Sequence, residues 1–546
     1  MLNIDILNII FSYSENVNKL KFGTVSKKFR ICITENVKFY YKIKRTSDIL
    51  SVPKCIVGLK FDDGFDKPVC GISDGTTQLT YREKITQYIT ILPNSVCFSI
   101  FSNIFDKHID GLSHNITHIV FGAKFNRQVD NLHYGITHLT FGRNFNQSVD
   151  NLPNSITHLT FSNSFNQSVD NLPNSITHLT FGYHFNNSVD NFPNSITHLR
   201  FGWDFNQSVD NLPNNITHLT FGFMFNQSVD KLPKSITHLR FGYYFNNSVD
   251  NLPNSITHLT FGWNFNQPIN NLPKSVTHLR LGDCFNHYIH KFPDNITHLT
   301  FGYKFNQPVD KLPNGITYLT FGKSFNQSVD DLPNSITHLT FGYQFDQPIN
   351  KLPKSLTHLT FDDCFNHYID KFPDNITHLT FGHDFNQSVD NLPNSITHLT
   401  FGYFFDRPVD NLPKKITHLT FGDCFNRPIN ELPNSVTHLT FGRCFNRPID
   451  ELFNSVTHLT FDYDYMWSSD VLPNTIAHLF YDFIFDESGI KLPNSETNEA
   501  LRKMFSESIC KLPDNVTLKF IMSNCRTPKS TYTKHIYESL PKNTKK

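Results

Sequence analysis

Apolar residues return along this chain with a period of 20 from Ser51 to about residue 530. The best-kept stretch runs from Asn151 through Leu152, Pro153, Ile156, Leu159, Phe161, Phe165 and Val169 to Asp170. Numbered from that Asn, the apolar positions are 2, 6, 9, 11, 15 and 19. Leu159 and Phe161 alternate with Thr160, which predicts a short strand with two inward side chains. Ile156 has the wrong parity for that face, so a bend is expected near Thr157. Pro153-Asn154-Ser155 supplies turn chemistry just before it. The return arm, Phe165 to Pro173, is too short and too rich in Asn and Pro for a helix and reads as extended or polyproline-like.

A 20-residue unit cannot close a core by itself and must stack on its neighbours. The expected fold is a repeat solenoid, leucine-rich-repeat-like, with parallel β-strands and extended return arms. About 24 repeats would fill residues 51–530, with degenerate ones at the ends, as at Gly71 and Lys491. The stretch Asp283-Cys-Phe-Asn-His-Tyr-Ile289 recurs at 363–369, four repeats on, which suggests block duplication.

Stacking turns each position into a row. Positions 11 and 15 hold 40 of the 54 Phe and read as two core rows. Asn at position 16 (Asn146, Asn166, Asn206) is expected to bridge turn amides of adjacent repeats. Position 8 is His from His118 to His478 except at Tyr318. Side chains in a ladder run parallel and do not converge on a tetrahedral point, so the row reads as structural and mostly neutral, with no metal site. Cys284, Cys364, Cys424 and Cys444 share position 14 and read as reduced thiols, with Cys424 and Cys444 near enough in sequence to meet.

The informative positions are the variable ones. Positions 13 and 14, just past the strand, hold Tyr183, Trp203, Phe223, Met224, Tyr243, Tyr244, Trp263, Tyr303, Tyr343, Tyr403 and Phe404. On a concave rim such rings would form a protein-recognition surface; packing against one another is the structural alternative.

Composition narrows the classes. Lys and Arg (48) balance Asp and Glu (48), which excludes an overall polybasic nucleic-acid binder. No apolar run reaches the roughly 20 residues of a membrane span. Met1 to Tyr13 lacks the basic start and cleavage site of a signal peptide, and ten Cys without disulfide-like spacing suggest a reducing compartment. On that reading the sequons in most repeats are by-products of the period. The ends are basic: nine Lys and Arg against three acids in residues 1–45, six against one in 526–546. No lone nucleophile with a base and no phosphate loop is present, so no catalytic residue, enzyme activity or cofactor is expected.

Residues 1–45 stand outside the period. Ile6, Leu7, Ile10 and Phe11 form an apolar helical stripe, continued by Leu20, Val25, Phe29 and Ile33 in later short helices. The segment from Leu2-Asn-Ile-Asp-Ile-Leu-Asn-Ile-Ile-Phe-Ser-Tyr13 through Leu20 to Val25-Ser-Lys-Lys-Phe-Arg30 resembles an F-box, with Leu2-Asn3 where that family opens on Leu-Pro. The repeat resembles the FNIP repeat, a leucine-rich-repeat variant, through Phe265-Asn-Gln-Pro268, Phe305-Asn-Gln-Pro308 and Phe425-Asn-Arg-Pro428. The combination is similar to F-box and FNIP-repeat proteins of giant viruses that infect amoebae; FNIP repeats also abound in social amoebae.

The resemblance implies a small all-α segment at 1–45 that binds a Skp-type adaptor of a cullin–RING ubiquitin ligase through Ile4, Ile6, Leu7, Ile10, Phe11, Leu20, Val25 and Phe29. The solenoid would hold the target protein, a host protein if the chain is viral, through Tyr183, Trp203, Phe223, Tyr243, Trp263, Tyr303, Tyr343 and Tyr403. The site of action would be the cytoplasm, that of the host in the viral case. No nucleic acid, membrane or metal partner is implied. The alternative is a scaffolding repeat protein whose N-terminal helices only cap the solenoid; a metal or carbohydrate binder is more distant.

Overall fold

The computed structural model describes residues 94–447 apart from 110, 111 and 430, residues 455–462, and flanking strand segments between Phe39 and Tyr81 and between His478 and Glu538. It divides into two units, Met1–Val276 and Thr277–Lys546. The first holds β1 (Phe39–Ile43), β2 (Ile56–Phe61), β3 (Gln78–Tyr81) and β4 (Phe98–Phe101). From β5 (His118–Val120) a three-residue strand then recurs every 20 residues, including β9 (His198–Arg200), β10 (His218–Thr220), β11 (His238–Arg240) and β12 (His258–Thr260). Every pairing between successive strands in this unit is parallel, and from β5 onward like positions pair: His198↔His218↔His238, Leu199↔Leu219↔Leu239.

The second unit continues the period from β13 (His278–Arg280) through β21 (His438–Thr440), β22 (His458–Asp462) and β23 (His478–Phe485). There β23 pairs directly with β24 (Thr517–Asn524), beginning at His478↔Thr517; the repeat expected at Lys491 lies outside the described residues. β25 (His535–Glu538) is antiparallel to β24, so the basic C-terminal stretch contributes a strand.

Each repeat follows the apolar code. Ile156, Leu159, Phe161, Phe165 and Val169 are at most 2% exposed. The strand is one residue shorter than the alternation predicts, ending at Thr160. The parity bend falls where expected: Thr157 N–H and His158 N–H both donate to the Thr137 carbonyl, at 2.9 and 3.1 Å. Two residues facing one partner is a bulge, and it swings Ile156 inward. Ile156 N–H closes the preceding turn on Pro153 O at 3.2 Å. The return arm is irregular and carries no helix.

The two Phe rows interlock more closely within a repeat than along it. Phe141 and Phe145 lie 3.7 Å apart at 8°, whereas Phe141–Phe161 and Phe145–Phe165 are 5.5 and 6.1 Å apart. The within-repeat spacing is shorter than the usual offset-stacked range, so apolar burial rather than ring quadrupoles carries the stabilisation. Outside the core a side-chain ladder joins the arms. The Asn126 Oδ1 accepts from Asn146 N–H at 2.9 Å and from Gln147 Nε2 at 3.1 Å, and Asn146 repeats this for Asn166 and Gln167. The bridging role assigned to position 16 is thus present, in a half-exposed setting.

One row escaped the apolar code. Position 12 is Gly in most repeats because the next backbone is too close: a Cβ on Gly222 would sit 1.5 Å from Gly202 O. Ser102, Ser162 and Asp362 occupy the same row, so the lattice yields at those repeats.

Candidate recognition surface

The adaptor-contacting residues inferred from the F-box resemblance, Ile4 through Phe29, lie outside the described residues. The all-α expectation for 1–45 does not extend to its end. Phe39-Tyr-Tyr-Lys-Ile43 is aromatic and β-branched and forms β1, paired with β2.

The rim aromatics of the first unit form one continuous stack. Tyr183–Trp203, Trp203–Phe223, Phe223–Tyr243 and Tyr243–Trp263 have centroid separations of 5.1, 3.8, 4.5 and 5.9 Å, with no tilt above 18°. Position 13 follows the tight Gly row, which delivers each ring at the same height beside the strand. Tyr244 stands edge-on to Phe223 and Tyr243, and Met224 is exposed beside them. The rings pack on each other and still face solvent: Tyr183, Trp203 and Trp263 are 38–45% exposed. Packing and exposure therefore coexist. The stack presents ring edges, an apolar ridge with indole N–H and phenol O–H groups along it.

In the second unit the rim residues do not form such a run. Lys323 lies between Tyr303 and Tyr343, its Nζ 5.5 and 4.5 Å from their centroids, a cation–π sandwich. Tyr403 stacks on His383 at 4.8 Å, with Phe404 edge-on to both. His383 in turn meets Asp384 at 2.6 Å.

The His row runs along the outer face of the strands. Rings from His118 to His258 stack at 4.1–4.2 Å, and those from His278 to His458 at 4.0–4.4 Å with Tyr318 included. The preceding Thr organises each ring. Thr157 Oγ1 lies 3.2 Å from Thr137 O and 2.9 Å from His158 Nδ1. The hydroxyl has one proton; donating it to the carbonyl leaves the oxygen to accept from Nδ1–H. In that arrangement Nε2 is the ring's acceptor; with the hydroxyl proton turned to Nδ1 instead, Nε2 carries the proton. Burial first, and then the charge of neighbouring rings, holds His158 and His218 below the usual imidazole range. Among the described residues no group of three His, Cys, Asp or Glu side chains is placed to hold a metal ion.

Two of the rim thiols are held in the protonated form. Burial, followed by nearby carboxylates led by Asp384, raises the Cys364 thiol; burial, followed by Cys444, raises that of Cys424. Cys424 and Cys444 do meet, as hydrogen-bond neighbours.

Reading along the chain misses one pairing that reading across repeats reveals. In three repeats where position 16 is Asp (Asp106, Asp346, Asp406), position 17 of the next repeat is cationic or imidazole: Arg127, His367, Arg427; after Asp66 and Asp486 it is Gln87 and Glu507. The side chains meet at 2.9, 3.1 and 3.0 Å. No helix among the described residues is long and apolar enough to cross a membrane.

The FNIP Repeat family profile matches in overlapping or abutting segments from 134–164 and 148–184 through to 405–444 and 425–453, without a gap between 134 and 453. Among solved structures, the chain is similar to CroV588, described as a novel circular LRR protein, at 35% identity and TM-score 0.67 over 89% of this chain and 88% of that one. YopM from Yersinia enterocolitica WA-314 aligns over 86% of this chain and 100% of that one at 13% identity and TM-score 0.39. No curated protein sequence matches. With period, strand register and family profile in agreement over more than half its length, the chain belongs to the FNIP-repeat family, a leucine-rich-repeat-like parallel β-solenoid.

Proposed function

We propose that this protein is a recognition subunit: the repeats hold a target protein along the rim, and the F-box-like N-terminal segment brings it to a Skp-type adaptor and the cullin–RING ligase behind it. The observation that carries the target-binding half is the five-ring stack from Tyr183 to Trp263, an exposed apolar ridge of the composition that interface hot spots favour. The adaptor half rests on the sequence of Leu2 to Arg30. Ligase chemistry belongs to the partners, and the cytoplasm is the compartment this role requires. Affinity purification of the full chain tests both halves. The Leu7→Asp/Ile10→Asp variant is expected to lose the adaptor and keep the target; Trp203→Ala/Phe223→Ala is expected to do the reverse. Adaptor retention by the Leu7/Ile10 variant defeats the F-box assignment.

A second reading has one observation in its favour. β1 lies within the N-terminal segment and pairs with β2, which suits a cap on the first repeats. In that case the chain is a scaffold, and deleting residues 1–38 lowers its melting temperature without removing any ligase partner.

A further inference from the structure

The outer strand face of the first unit carries a second surface, independent of the rim. Side chains at positions 8 and 10 share that face. In β9, β10 and β11 one row is His198, His218, His238 and the next is Arg200, Thr220, Arg240, in strict register. Arg200 and Arg240 are exposed. No Asp or Glu lies on any strand from β5 to β12. The acids of these repeats are elsewhere and engaged. Asp204 meets His184 at 2.8 Å, Asp210 meets Lys231 at 3.0 Å, and Asp190, Asp230 and Asp250 accept from Asn211, Asn251 and Asn271. Arg127 and Arg427 are paired with carboxylates. Arg200 and Arg240, by contrast, make no ion pair or side-chain hydrogen bond among the described residues. Two unspent guanidinium groups therefore face solvent on an acid-free sheet, next to a row of imidazole rings.

The spacing selects a partner. Two strand intervals place Arg200 and Arg240 about 10 Å apart. A polyproline-II chain advances about 3.1 Å per residue with three residues per turn, so every third side chain falls on one face about 9 Å from the last. Carboxylates at i and i+3 of such a segment reach both guanidinium forks at once. The backbone of that conformation makes no internal hydrogen bonds, which leaves its N–H and C=O groups for the imidazole row. A nucleic-acid strand fits less well: single strands need aromatic faces to stack on, and the neighbouring rim offers edges.

We propose that the β9–β11 face docks an extended, acidic polypeptide segment with carboxylates three residues apart in polyproline-II conformation. Fluorescence anisotropy on the full chain, at about pH 7.5 and about 50 mM salt, tests this with a labelled Glu-Pro-Pro repeat peptide. Binding is expected to weaken by about tenfold or more in Arg200→Glu/Arg240→Glu, less in Arg200→Lys/Arg240→Lys, and not at all in Trp203→Ala/Phe223→Ala. The melting temperature of each variant establishes that it folds. The Lys-Pro-Pro peptide, and a Glu-Pro peptide of two-residue spacing, are expected to bind more weakly than Glu-Pro-Pro. Equal binding of either peptide, unchanged binding by the Glu variant, or tighter binding of oligothymidine overturns the proposal.

Discussion

Lowering the pH from about 7.5 to about 5.5 is expected to destabilise the repeats through the imidazole row. An unfolded His titrates near 6.5. In the folded chain eleven rings of the row (His118, His138, His158, His178, His198, His218, His238, His338, His358, His378 and His418) are held below that value, first by burial and then by the charge of neighbouring rings. Depressed folded values mean that the unfolded chain binds protons first. The contribution to stability is therefore complete above pH 6.5 and is lost as the pH falls below it and through the folded values. A ring that stayed wholly neutral would cost about 1.4 kcal/mol per pH unit. These rings are half-exposed, and solvent screening reduces each contribution to about 0.2–0.3 kcal/mol, or about 2–3 kcal/mol over the row.

Circular-dichroism melts at constant ionic strength are the assay, with an expected fall of about 2–4 °C between the two pH values. Asp190 and Asp390, lowered by the Ser188 and Ser388 hydroxyls, and Asp330, lowered by the Asn350 amide, titrate below 3.8. Tyr318 supplies the matched variant: it stacks in the same row at 4.4 and 4.1 Å without a titratable imidazole. Replacing His198, His218 and His238 by Tyr is expected to reduce the pH dependence. A melting temperature that is flat or rising towards pH 5.5 refutes the reasoning.

Two further outcomes test the lattice. The Asp406–Arg427 contact, 3.0 Å, substitutes for the Asn–Gln contact of Asn146 with Gln167, so Asp406→Asn and Arg427→Gln are each expected to destabilise while the double variant recovers. A double-mutant cycle by denaturant melts should give a coupling of about 0.5–1 kcal/mol, and strict additivity would sink the exchange. Gly222→Ala places a Cβ 1.5 Å from Gly202 O and is expected to cost about 2–4 kcal/mol. Gly315→Ala meets nothing nearer than 3.5 Å and should lie within about 1 kcal/mol of neutral; the reverse ranking in thermal melts contradicts the close-approach account.

The fold was legible because each position must occupy the same environment in every turn. Ten exact copies of Ile-Thr-His-Leu-Thr-Phe, and near-copies between them, carry the same burial instruction, and even the bend at Thr157 followed from the parity of Ile156 against Leu159. What stayed hidden were roles a residue type does not announce. Thr at position 7 reads as ordinary strand propensity, yet its hydroxyl orients the imidazole beside it. Gly at position 12 reads as turn punctuation, yet it answers a backbone approach from the previous repeat. The Asp–Arg exchanges were visible only across repeats, at a separation of 21 residues.

The same periodicity sets a condition on recognition. A perfectly regular ladder offers a partner the same contacts at every step, about 4.8 Å apart, and so gives it no preferred register. Partner choice and position must come from departures: Arg for Thr at 200 and 240, aromatic rings at 183, 203, 223, 243 and 263 where other repeats have Arg143 or Asn163. Within each unit the core and the His row hold the described repeats in register, and on the proposed reading specificity lies where the repeats disagree. Restoring regularity at either surface should therefore abolish binding without loss of stability, a separation that a globular recognition domain, with its site built from core elements, would not permit.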